Sequence, residues 1–594
     1  MSDTKNGSAG LWLYERNDGV VIEAFQRGEF DYLEGAQEVN EADFFRALAG
    51  RQLLTKLAAS YPTPRQKQEV PLWVYLASDI SMRFHGEHHY HALPYVIRVG
   101  GLVQAFGPEM GQKVRHPETG DVTLSCEGFN DKNEYDRETP CDQDTVRKLA
   151  RTTPAEALER WFNESVVGLF KQHHAFDGEG LFIGDATYLF VPDNPKYEGS
   201  SRLLFDEDGH PVDSQELTPE QRARCQWRRC YKLVSLLRTN RAAEFFLYGG
   251  LRVLPGKDHE SPVLYQMVRD FVGYHGRGVM QRLILDRGFI DGAEIGHCKK
   301  ELGVDVLIPV KSNMDIYKDV VGLAQGGLLQ FQPYAAAAAA PVAAAAPVHV
   351  PERIRKREAA RQKTLAARKA AAAAQVAAPA PVAAKTVRPR RRAGRARAAA
   401  AAAAPAAKPQ RIRSEIAVVP DLETFSTCPV PVHALVNREQ YDDGHYEYWV
   451  LLDTAPIADP KAKRQEYGLR VTIEERHRQT KCFSDLAAFT SRALNLVVHQ
   501  VVFVLLTYSL LQWYLLRQGR KDLTRQTRPR VLERLQPTQT VILLYYKNYV
   551  AYLTPLQHQE LVLRLSAAAR KKILAKTRRL RRQLAQVFTK PRPL

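Results

Sequence analysis

The chain has 594 residues, 45% of them hydrophobic and 25% charged, with a formal net charge of +18. That apolar content is enough for a packed core, and the length allows about two to four domains. Seven cysteines without a CxxC pair exclude a zinc-ribbon or disulfide framework and point to a reducing cytoplasm; the N-terminal MSDTKNGSAGLWLYERNDG does not read as a signal peptide.

The charge is unevenly placed. Residues 335–413 and 517–594 each carry a balance of +16, which leaves −14 on the remainder. The body is therefore acidic and two appendages are basic. Such appendages supply long-range, salt-dependent attraction to a polyanion.

In chain order, residues 1–152 read as mainly helical, with helices over 44–57 and 71–82 and no clean helix-turn-helix. His85, His88, His89 and His91, with Glu87 among them, read as a polar loop, since their spacing fits no familiar ligand motif. Thr153-Pro154 opens an amphipathic helix whose apolar side holds Leu158, Trp161, Phe162, Val166, Leu169 and Phe170.

A strand-rich stretch follows. Residues 181–183 and 188–191 are strand-like, with Asp185 between them. Two more strands are expected over 231–238 and 244–253, around a turn at Thr239-Asn240. Ser261, as N-cap ahead of Pro262, starts a helix ending near Gly273. Residues 283–285 form a short apolar strand ending at Asp286. Asp291 and Glu294 start another helix that stops at Gly303, and residues 304–310 are a fifth strand. The order β-β-β-α-β-α-β predicts an α/β fold: a ribonuclease-H-like mixed five-stranded sheet with flanking helices, covering 153–312 and 447–516.

Residues 313–446 interrupt that core. A low-complexity Ala/Pro/Arg segment spans 335–413, with helical propensity over 352–377, and strands are expected over 430–436 and 445–452 around Asp443-Gly444. Residues 493–516 are long and apolar enough to span a bilayer. Asn495, His499, Gln500, Thr507, Ser509 and Gln512 make them a buried core helix instead, because a protein interior best supplies partners for those groups. Residues 517–594 read as a basic helical region, with Leu574, Leu580, Leu584 and Val587 on an approximate apolar face.

The most specific signal is Tyr467-x2-Arg470-x3-Glu474-x6-Lys481. On one helix these four positions fall within about 60° of each other. A helix face with a phenol, a guanidinium, a carboxylate and an ammonium suits a phosphodiester and a metal ion, whereas a core-facing stripe is apolar. Asp185 and Asp286 lie in apolar strand segments, an unusual place for a charge.

These motifs together resemble the DDE transposases of the insertion-sequence-four type. Asp185-Ala186-Thr187 matches that family's first acidic motif, Asp286-Arg287-Gly288-Phe289 its second, and Tyr467, Arg470, Glu474 and Lys481 its third. Trp449-Val450-Leu451-Leu452-Asp453-Thr454-Ala455-Pro456 fits a tryptophan motif found in some members. The resemblance implies a cut-and-paste DNA transposase, working as a homodimer on transposon ends and target DNA in a bacterial cytoplasm, at the nucleoid, with no membrane. It implies two Mg²⁺ (or Mn²⁺) ions held by Asp185, Asp286 and Glu474, and DNA contacts from Tyr467, Arg470, Lys481 and Trp449. It also implies end recognition in the N-terminal region, a mainly β insertion, and subunit or DNA contacts from the C-terminal region. A structure-selective Mg²⁺-dependent nuclease on the same fold, or a non-catalytic DNA-binding descendant, are the rival readings.

Overall fold

The computed structural model describes residues 14–38, 41–65, 71–93, 96, 101–106, 113–115, 122–124, 143–215, 217–334, 409–535 and 539–575. Most of the Ala/Pro/Arg segment, including 352–377, lies outside them, as do Cys126, Cys141, Leu580, Leu584 and Val587. The chain divides into a large unit (residues 1–330, 417–437 and 448–594) and a small one (331–416 and 438–447).

The large unit is built on a mixed sheet with helices. Its central strand, β1 (Leu181–Val191), pairs antiparallel with β3 (Gln226–Thr239) without a break, from Leu181↔Thr239 to Val191↔Arg229. Asp185 is therefore inside one continuous strand, not between two. The flanking polar residues do not interrupt the ladder, because alternate side chains leave the sheet on opposite faces. β5 (Arg282–Ile284) lies parallel to β1, with Ile183 level with Ile284, so Asp286 comes out beside Asp185. Gly184 makes this approach possible: a Cβ there would come 2.7 Å from Leu285 and 2.9 Å from Leu264.

Around this pair, β4 (Leu247–Pro255) extends β3 on its far side, and β6 (Asp305–Pro309) runs parallel to β5. The sheet is larger than five strands. β2 (Ser201–Phe205) pairs with the first residues of β3, where a turn-rich sequence had offered no strand signal. On the other side β9 (Tyr446–Asp453) pairs antiparallel with β6.

The helices follow local rules with one shift. α1 (Glu260–His275) is capped by His259 Nδ1, which accepts from Ser261 N at 3.2 Å; Ser261 is not the N-cap. The chain turns helical two residues earlier, and Pro262 still falls in the first turn, where an N–H is dispensable. α2 (Gly292–His297) is capped by Asp291 Oδ1, which accepts from Glu294 N at 3.2 Å. Its continuation ends at Gly303, with φ 71°, as a left-handed stop requires. α3 (Asp315–Gln325) follows β6.

The expected single helix across the Tyr-Arg-Glu-Lys motif is two: α4 (Pro460–Gly468) and α5 (Val471–Phe483). Between them, Leu469, Arg470, Thr472 and Ile473 donate to carbonyls three residues back, at 2.9–3.2 Å, which tightens the chain by a turn of 3₁₀ type. The long apolar helix α6 (Leu494–Arg517) is buried over most of its length. Four of its polar side chains find protein partners: Asn495 Nδ2 donates to Arg151 O, Gln500 to Asp485 O and Gln512 to Thr524 O, while Ser509 Oγ accepts from Tyr248 N; Thr507 Oγ1 and His499 Nδ1 are buried without a hydrogen bond among the described residues. Leu158, Trp161, Phe162, Val166, Leu169 and Phe170 are all buried, as their periodicity predicts.

The terminal regions are not wholly helical. Helices do form at Glu41–Gly50, Leu53–Ser60 and Leu72–His85, the first two broken by Gln52 at φ 57°. But strands Glu15–Arg16, Tyr549–Leu553, Gln539–Tyr546 and Tyr32–Glu38 form a four-stranded sheet in that order, joining both ends of the chain. The run VILLYY is continuous and apolar, and Lys547 (φ 55°) turns it back on YVAYL.

In the small unit, β7 (Gln332–Pro333) pairs with β8 (Arg411–Leu422) at Gln332↔Ile416. The buried Glu415 carboxylate accepts from Arg438, whose guanidinium lies 3.8 Å from the Phe331 ring centre.

Candidate active site

The third acid of the motif, Glu474, enters from α5, which packs on the Asp185 face of β1. Lys481 Nζ donates to Thr187 Oγ1 at 2.6 Å, and His477 Nε2 is 2.9 Å from Ser235 Oγ, the residue opposite Asp185 in the ladder. These two contacts, one helical turn apart, fix the height and rotation of α5 over the strand.

Arg470 is the hub. Its Nη1 donates to Glu474 Oε1 at 2.5 Å and its Nη2 lies 3.4 Å from Asp286 Oδ2. Burial draws the guanidinium down, but Asp286, Asp185 and Glu474 outweigh it and hold its pKa above the ordinary value. Asp286 and Glu474 thus touch one cation, and Asp185 adds to its field. The three carboxylates grade from the interior outwards: the Asp185 side chain is 13% exposed, Asp286 37% and Glu474 49%. Burial pushes the Asp185 carboxyl up to about 7; Glu474 and Asp286 push the same way, against Arg470 and the Ala186 N–H.

Beneath Asp185, His477 Nδ1 is 3.8 Å from its Oδ2, and burial takes that imidazole down to about 3, so it is neutral. Burial also lowers Lys481 to about 8, with Asp185 opposing. Tyr467, at the end of α4, has its phenol pushed up to about 12 by burial, with Asp286 and Glu474 adding to it, and stays a hydrogen-bond donor. Its ring centre is 6.2 Å from that of Trp449, and Arg464 lies 4.1 Å over the indole. Trp449 is half-buried, not a core residue.

The structure thus brings together Asp185, Asp286, Glu474, Arg470, Lys481 and Tyr467, with Trp449 beside Tyr467. His477 escaped the sequence reading although it lies one turn past Glu474. A buried network also went unread. Arg282 donates twice to Asp453, at 2.6 Å each, and once to Glu466 at 3.1 Å, while Lys463 bridges Asp453 and Glu466 at 2.8 Å. Arg282 precedes Asp286 by one strand, and Glu466 adjoins Tyr467. The cluster sets α4 against the acid-bearing strand.

The donor set fits Mg²⁺ or Mn²⁺. It is all carboxylate oxygen, and its three acids outnumber the two nearby cations, Arg470 and Lys481. Arg470 spaces the acids. Among the described residues, the group whose ligand atoms all lie within 4.8 Å of one another is Asp206, Asp208 and His210, not these three. That group is largely exposed on a tight turn closed by Asp206, which accepts from His210 N at 2.7 Å.

Residues 198–510 match the transposase DDE domain family, just over half of the chain. The chain belongs to that family, the DDE transposases. The matched span includes Asp286, Glu474 and the whole of α4 and α5, and begins thirteen residues past Asp185. No curated protein matches the chain.

Proposed function

We propose that this transposase cuts and pastes DNA, with Asp185, Asp286 and Glu474 holding two Mg²⁺ (or Mn²⁺) ions. The observation that carries the reading is the juxtaposition of the three acids: Asp185 on the central strand, Asp286 just past its parallel neighbour, and Glu474 on a later helix, joined to Asp286 through Arg470. The strand order β4-β3-β1-β5-β6 supports a ribonuclease-H-like core, in which the first and fourth strands lie side by side.

Divalent ions held there would lower the pKa of an attacking water or 3′-hydroxyl and neutralise the leaving oxygen. The chain's own groups do the rest. Arg470, beside Asp286 and Glu474, supplies a guanidinium that can hold a phosphate oxygen by charge-assisted hydrogen bonds. Lys481 offers a second, point-like cation, and Tyr467 a neutral O–H donor. Trp449, with Arg464 on one face, gives a flat surface for a base displaced from the duplex at the cut. The two basic appendages hold DNA against the repulsion of the acidic body. Two transposon ends must be cut and joined together, which calls for a homodimer on DNA.

The test is cleavage and strand transfer on a duplex carrying the DNA that flanks the gene. Wild type with Mg²⁺ should nick at the repeat end and then join the 3′-OH to a second duplex. Asp185→Asn, Asp286→Asn and Glu474→Gln should each lose both steps by at least about a thousandfold. Variants that cut normally would refute the site; cleavage without joining would leave a nuclease.

A further inference from the structure

The sheet does not end at the acids. Among the described residues β1 pairs with β5 only over Leu181–Ile183, yet it runs on to Val191 with β3 beside it, and β2 joins β3 further out. The three strands form an arm that passes the level of Asp185 and Asp286. Side chains alternate along it, so Asp185 and Thr187 share a face with the β3 residues opposite them, Ser235 and Leu233, and further out with Tyr231, Arg229 and Trp227. Near Asp185 that face is covered by α5. Further along it carries Tyr231 against Phe489, and at its outer end Trp227 is 49% exposed. The Arg202 guanidinium lies 5.1 Å from the Trp227 ring centre, on the same face.

Charge is segregated along this arm. Residues 199–205 and 221–232 hold six Lys and Arg and no acid, while 206–220, which joins them, holds six acids and no Lys or Arg. Asp193 is the carboxylate that faces the pair: it accepts from Arg202 at 2.9 Å and lies 3.4 Å from Arg229, one anion against two cations. An exposed indole beside a guanidinium, on a locally cationic strand pair, suits a sugar-phosphate backbone: phosphate on the arginine, deoxyribose or base against the ring.

We infer that the outer end of this arm, Trp227 with Arg202, is a second contact for the duplex whose cut strand lies at Asp185. The inference rests on the DNA-cutting reading above. Trp227 is eight residues along β3 from Ser235, about 26 Å at strand rise. That equals roughly eight base pairs of duplex at about 3.4 Å each. The arm grips DNA that far from the scissile phosphate, independently of sequence.

The experiment uses the full chain and a 40-base-pair mixed-sequence duplex, with affinity measured across salt concentrations in EDTA. Arg202→Gln should lower the slope of log K against log salt by about one, and Trp227→Ala should weaken binding about tenfold. Unchanged affinity and slope in both variants would overturn the inference, as would loss of self-association by Trp227→Ala with DNA binding intact, which would assign the indole to a second copy. Cleavage of flanking DNA by wild type, read in parallel, separates the two readings. An active enzyme with an indifferent arm refutes only the arm, whereas an inactive enzyme whose variants still lose affinity refutes only the cutting.

Discussion

Removing the Asp453 charge tests how the site is held. In Asp453→Asn, the Arg282 guanidinium loses both of its 2.6 Å bonds to a carboxylate and Lys463 loses its 2.8 Å partner, leaving Glu466 to balance two cations. Asp453 is fully buried and Arg282 6% exposed, so water cannot replace the lost charge. Breaking a buried pair on one side costs about 3–5 kcal/mol. At roughly 2 °C per kcal/mol, Tm by differential scanning fluorimetry should fall by about 6–10 °C. The double change Arg282→Met with Asp453→Leu should recover much of that, because it leaves no unpaired charge and Lys463 keeps Glu466. The pH dependence follows with its sign. Burial pushes the Asp453 carboxyl up, but Arg282 and Lys463 outweigh it and hold it below the ordinary value. Its stabilisation is therefore complete above the unfolded pKa of about 3.9 and lost as pH falls through the folded one. The deficit of Asp453→Asn should be constant from about pH 8 to 5 and narrow below about 4. A variant that melts within a degree of wild type at neutral pH would refute the reasoning.

Other outcomes follow from the same geometry. Asp185, held up to about 7, keeps its proton in the folded chain where the unfolded chain has lost it; the metal-free protein should lose stability as pH rises from about 4 to 7 and level off above that. By the same linkage Mg²⁺ affinity by calorimetry should rise up to about tenfold per pH unit below 7, with proton release that Asp185→Asn removes. Gly184→Ala places a methyl 2.7 Å from Leu285 and 2.9 Å from Leu264, and should cost about 1–3 kcal/mol in chemical denaturation while lowering cleavage more than binding. Lys481, lowered to about 8, should lose its hold on phosphate as pH rises past that value; Lys481→Arg should move this weakening of DNA affinity above pH 10.

The acids were legible because each lies where chemistry contradicts local preference: a charge in an apolar strand, or four polar groups on what reads as one helix face. The strands around Asp185 and Asp286 were legible for the opposite reason, as runs of Val, Ile and Leu with clear stops. What escaped depends on long-range pairing. Ser201–Phe205 is a strand because Gln226–Cys230 is there to receive it. Leu469–Arg470 interrupts the helix through bonds to carbonyls three residues back, which no residue type announces. The Arg282–Asp453–Glu466 cluster joins positions 171 and 184 apart in sequence, and each reads singly as an ordinary surface charge. The terminal sheet was hidden because its partners lie at opposite ends of the chain.

That sheet has a consequence for biosynthesis. Tyr32–Glu38 waits for Gln539–Tyr546, roughly five hundred residues later. At about 5–20 residues per second a ribosome needs on the order of 25–100 s to supply it. The central body can finish folding in that interval, while the early strand emerges with an unsatisfied edge. A copy of the gene interrupted before codon 539 would make a product that never closes this seam, and its exposed edge would favour aggregation and clearance over a soluble fragment able to grip DNA.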